Sequence, residues 1–74
     1  MAKYHFSAKF SDSTFSYHGE FDTVLKDVPD IVKKAKIEFK CKCEVWKKSP
    51  TLVARFEIYR YNDEGEQKVF EFGT

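Results

Sequence analysis

Two kinds of periodicity divide the chain. Tyr4-His5-Phe6-Ser7-Ala8-Lys9-Phe10 alternates apolar and polar residues with period two, as a strand with one buried face does. Ser11-Asp12-Ser13-Thr14 supplies short side chains that bond back to the local backbone and favour a turn. Phe15-Ser16-Tyr17-His18 resumes the alternation. Setting Phe10 opposite Phe15 brings Ala8 opposite Tyr17 and gathers one aromatic face, so the segment reads as a hairpin. At Gly19 the period changes. Val24, Leu25, Val28, Ile31, Val32 and Ala35 fall at helical spacing. Asp22 or Thr23 is placed to cap the start, and Lys33, Lys34 and Lys36 suit the negative end of the helix dipole. Pro29 inside that stripe removes a hydrogen bond at a cost of about 3 kcal/mol. The stripe therefore predicts a kink, or a short turn followed by a helix starting at Pro29.

The second half predicts a three-stranded meander. Ile37, Phe39, Cys41, Cys43 and Val45 alternate with Glu38, Lys40, Lys42, Glu44 and Trp46, and Lys48-Ser49-Pro50-Thr51 makes the turn. Ala54, Phe56 and Ile58 then return opposite Val45, Cys43 and Cys41, in a register that also pairs Glu44 with Arg55 and Lys42 with Glu57. Asn62-Asp63-Glu64-Gly65-Glu66 is the next turn, with Gly65 available for positive φ. The last strand, Gln67 to Phe72, presents Phe70 and Phe72 to Ile58 and Phe56. The expected fold is α+β: one small domain over residues 1–74, in the order ββαβββ. A curled antiparallel sheet of about five strands carries one helix, continuous or Pro-kinked, on its apolar face. The strand order between the two halves stays open.

Size limits what such a domain can enclose. For 74 residues and 8.7 kDa, surface scaling gives ~4,700 Å² folded against ~12,600 Å² unfolded, so roughly 60% is buried. That is one thin core with little room for a deep cavity, offset by eight Phe, four Tyr and one Trp. The net charge of +1 argues against a polybasic mode of nucleic-acid binding. The start of the chain shows no apolar run of signal-peptide type, and no stretch is long enough to span a bilayer, so cytoplasmic residence is expected. Cys41 and Cys43, two apart on a strand, are expected to be reduced and buried.

Catalytic groupings are sparse. His5 and His18 are the only imidazole bases, expected as solvated residues on the outer face of the first hairpin near Ser7 and Glu20, with nothing to exclude water or hold an oxyanion. His5, His18 and Glu20 are the only conceivable metal set, and the spacings of zinc, calcium and dinucleotide sites are missing. A non-enzymatic chain with no catalytic residue, no metal and no cofactor is the expectation.

One surface stands out. The meander register places Trp46, Val53, Arg55, Tyr59 and Tyr61 on one outer face, with Lys47 and Lys48 beside the tryptophan, and these seven are the candidate partner-binding residues. Trp, Tyr and Arg are over-represented at interface hot spots. Cross-strand charge pairs account for Glu44–Arg55 and Lys42–Glu57 without a partner, whereas an exposed Trp46 asks for one. On this reading Trp46→Ala weakens partner binding and leaves the fold intact. The function expected is a protein-binding module acting by surface occlusion. Its economy resembles that of small phage or mobile-element proteins that inhibit host defence or host machinery, anti-CRISPR proteins among them. The alternative is a single-stranded RNA or DNA platform on the same aromatic and basic face, weakened by Glu38, Glu44 and Glu57 there. Uncovered sheet edges, above all Val69-Phe70-Glu71-Phe72, also permit a homodimer or capture of a partner's strand.

Overall fold

The computed structural model describes residues 1–73. Strand β1 (Ala2–Phe10) and strand β2 (Ser16–Thr23) form the first hairpin. Helix α1 (Val28–Trp46) follows, then a single 3₁₀ turn at Pro50–Leu52 and a second hairpin of β3 (Val53–Asn62) and β4 (Gly65–Gly73). All neighbouring strands are antiparallel, in the order β2-β1-β3-β4. The fold is α+β, as the sequence predicts, with four strands rather than five.

The missing strand is the second half of the helix. Ile37–Trp46 is helical, and α1 runs unbroken for 19 residues. Its buried residues, Ile31, Ala35, Phe39 and Cys43, recur every four positions, with Val32 and Trp46 packed beside them. Ile37 and Val45, which a strand would have pointed inward with Phe39, are exposed, and so is Cys41. Pro29 sits in the first turn, where its absent N–H has no helical partner to lose, so it neither kinks nor breaks the helix. Asp27 carbonyl oxygen accepts the amide of Ile31 at 3.0 Å, while Val24 and Leu25 precede the helix and are exposed. At the other end Lys47 takes left-handed backbone angles (φ 57°, ψ 44°), and the Lys48 amide donates to the Cys43 carbonyl at 3.0 Å.

The predicted hairpin registers survive. Ala8 pairs with Tyr17, and on the other side of the molecule Phe70 and Phe72 pair with Ile58 and Phe56. Phe15 lies outside β2 and is exposed, so it does not meet Phe10. Gly19 lies within β2 rather than ending it, because it pairs with Phe6, whose ring fills the space over the glycine. The return strand β3 pairs with β1 instead of residues 37–46, so that Phe56 meets Ala8 and Ile58 meets Phe6. Asn62 and Gly65 close a two-residue turn in which Gly65 has φ +125° and Asn62 Oδ1 accepts the Glu64 amide at 2.9 Å.

Between sheet and helix lies an aromatic core. Phe6 stacks on Phe56 with ring centres 5.7 Å apart, and Phe10 stacks on Phe39 at 5.9 Å. Phe39 in turn reaches Phe56 at 5.1 Å, so one helix residue ties β1 to β3. A Cβ added at Gly19 would collide with the Phe6 ring at the centre of this stack. Gly19→Ala is therefore expected to lower unfolding free energy by about 1–3 kcal/mol in denaturant titrations, through forced displacement of Phe6. An unchanged midpoint would show that the ring moves aside freely.

Candidate functional site

The seven residues expected on one face fall on two sides of the sheet. Arg55, Tyr59 and Tyr61 do share the open face, away from the helix, with Glu57. Val53 turns toward the helix side after the register shift at Phe10, and packs against the core. Trp46 is on the helix side too. Its ring lies 5.0 Å from Tyr17 and 6.4 Å from each of Phe6, Phe10 and Phe39, so it roofs the end of the aromatic stack. Lys48 is held over Phe10 and Tyr17, 5.9 Å from each ring, with Nζ 3.4 Å from Asp12. Lys47 is the exposed residue that terminates the helix. The anticipated Trp46–Arg55 patch does not exist, because residues 37–46 form no strand beside β3.

The open face is a closed arrangement of charges and rings. Arg55 Nη2 donates to Glu57 Oε2 at 3.0 Å and Glu71 Oε2 at 2.7 Å, and Lys68 Nζ contacts the same two atoms at 2.8 and 3.0 Å. The Lys68 and Arg55 contacts hold the Glu57 carboxyl at a pKa of about 2, and Lys68 likewise lowers that of Glu71. Beside this square, His5 stacks on Tyr59 at 4.8 Å and leans on Tyr61 at 5.5 Å. His5 is thus largely covered rather than solvated; its Nδ1 is shielded from solvent and lies 2.8 Å from Glu66 Oε1 without a hydrogen-bond alignment. Lys3 pairs with Glu20 at 3.2 Å. A phosphate backbone laid across this face would have to displace Glu57 and Glu71 from the cations it needs. Among the described residues, no three His, Cys, Asp or Glu side chains are grouped to hold a metal ion.

The helix side is different. α1 approaches β2 most closely, and β4 has no buried residue. Between the helix and β4 runs a groove of about 390 Å³, floored by Phe39, Phe56, Phe70 and Phe72. Val53 and Pro50 also line it, with Lys36 and Lys40 on the helix wall. Phe72 is 43% exposed although its ring centre is only 6.3 Å from that of buried Phe56. Val69 and Phe70, half-buried, extend the same apolar strip along β4. A larger hollow of about 780 Å³, near Lys3, Thr23 and Arg60, is open and more polar. The sequence located Phe70 and Phe72 on the core-facing side. That Phe72 stays exposed and Phe70 only half-buried follows from the strand order, which pattern alone did not supply.

Two outcomes follow. Trp46→Ala should destabilise the fold by about 2–4 kcal/mol in denaturant unfolding, as removal of a packed aromatic does; a loss below roughly 0.5 kcal/mol would return Trp46 to the surface. Glu57, with its folded pKa lowered, contributes stability above its unfolded value of about 4.3, and that contribution fades as pH falls toward about 2. Glu57→Gln should cost about 1 kcal/mol at neutral pH, limited by the solvent exposure of its partners, and the deficit should close on acidification. A deficit independent of pH would assign the loss to packing. Compared with protein-family profiles, curated protein sequences and solved structures, the chain matches none.

Proposed function

We propose that this chain is a non-enzymatic protein-binding module that occludes a surface of its partner, and that it docks through the groove between α1 and β4. The observation that carries this reading is Phe72, nearly half exposed at the end of an apolar strip that includes Val69 and Phe70. An aromatic side chain offers on the order of 150–250 Å² for burial. Contiguous apolar surface of this kind, rimmed by charge, marks association sites on soluble domains. The groove floor is rigid, because Phe39 and Phe56 are fixed in the core stack, so a ligand there meets a preformed surface.

Covering a larger molecule's working surface is the mode that suits a chain of this size, and an inhibitor directed at host machinery or host defence is the biological setting such economy fits. The open face supports a docking role less well, since Arg55, Lys68, Glu57 and Glu71 already satisfy one another.

Phe72→Ser tests the reading directly. The variant should retain its fold, losing about 1 kcal/mol or less, and its capture of partner from a lysate of the source cells should fall at least tenfold. Tyr61→Ser, on the open face, should capture as well as the parent chain. The reverse pattern would move the docking surface to the open face.

A further inference from the structure

We infer that the partner completes this groove with an extended acidic segment, added to β4 as a fifth strand; the inference rests on the docking reading above. β4 is an edge, with β3 on one side and no strand on the other, so its outward amides and carbonyls between Gly65 and Gly73 have no sheet partner. Val69-Phe70-Glu71-Phe72 contains neither proline nor a lysine that would oppose pairing. A strand added about 4.8 Å beyond β4 would place every second side chain beside Phe70 and Phe72, where it fills the groove.

Charge selects the kind of strand. Lys36 and Lys40 stand on the groove wall one helical turn apart, and among the described residues none that is acidic lines the groove. Among the described residues neither lysine has a carboxylate within ion-pair reach, which is also true of Lys9, Lys26, Lys33, Lys42, Lys47 and Arg60; Lys36 and Lys40 are set apart by lining the apolar groove. Residues four apart on a helix are about 6 Å apart along its axis, and residues two apart on a strand about 6.8 Å. For a strand running alongside α1, two carboxylates on alternate positions therefore match the spacing of the two ammonium groups. A second copy of this chain fits less well. Two-fold antiparallel pairing of β4 with itself would leave both helices on the same side of a continuous sheet, so that the groove lysines of both copies would face one seam with no acidic residue among the described groove lining to meet them.

The probe is a nine-residue capped peptide with threonine at odd positions and valine, glutamate, glutamate, valine at even ones. Its binding, measured by titration at low and moderate salt, should be at least tenfold tighter than that of the same peptide with lysine in place of glutamate. Lys36→Glu with Lys40→Glu, both on the helix surface, should reverse the preference. Methylating the backbone nitrogens of one alternate set of peptide residues should abolish binding, and methylating the other set should change it less than about twofold. Equal binding of the two peptides would overturn the acidic-strand inference and leave groove docking standing. Tolerance of both methylation patterns would overturn strand addition. No binding of either peptide at about 1 mM would overturn the inference; docking itself would fall only if Phe72→Ser also left lysate capture unchanged. A dimer detected by sedimentation, with β4 amides protected from exchange, would also overturn the inference and assign the edge to a second copy.

Discussion

A helix about 10 Å across cannot cover four strands spaced about 4.8 Å apart. That mismatch governs the molecule. With one helix to spend, the chain lays it toward the β2 side of the sheet and fills the space beneath with rings, Phe6, Phe10, Phe39 and Phe56, because aromatic side chains bury the most area per residue. The central strands β1 and β3 are then well covered, and β4 is left with the apolar face of a core strand and the exposure of a surface one. Gly19 is the counterpart of this economy on the covered side, giving up its side chain so that Phe6 can lie flat in the stack.

The two faces of the sheet solve different problems. On the open face, long charged side chains and His5, Tyr59 and Tyr61 cover the backbone, and the charges close on one another. In that arrangement the charges of the face already satisfy one another. The helix side carries unspent hydrophobic surface and unspent positive charge next to each other, at Phe72 and at Lys36 and Lys40. The proposed docking is placed there because it would replace water over carbon and break no existing ion pair.

How much of this was legible in the sequence turns on a spacing of four. Phe39 and Cys43 satisfy an alternating pattern and a helical one equally well, so period alone could not decide residues 37–46. The deciding signal was punctuation. From Asp30 to Lys48 there is no Gly, Pro, Asn, Ser or Thr, hence nowhere for a helix to stop and a strand to begin, and Lys and Glu are good helix formers. Both hairpins were readable because turn residues and apolar registers agreed locally. The groove between α1 and β4 was not, because it depends on which strands the helix reaches, and strand order is a long-range property. Trp46 misled for the same reason: its exposure was inferred from a strand that does not form.

The seam between β1 and β3 has a consequence for how the chain reaches this state. The two hairpins are local and can form within microseconds, and α1 needs no distant contact. The core, however, exists only once β1, near the start of the chain, lies against β3 beyond the helix, as in Tyr4 beside Arg60. Closing that span loses chain entropy before any aromatic contact rewards it. Folding speed is therefore set at the centre of the sheet, and α1, by compacting 19 of the intervening residues into a rod of about 28 Å, shortens the search that limits it.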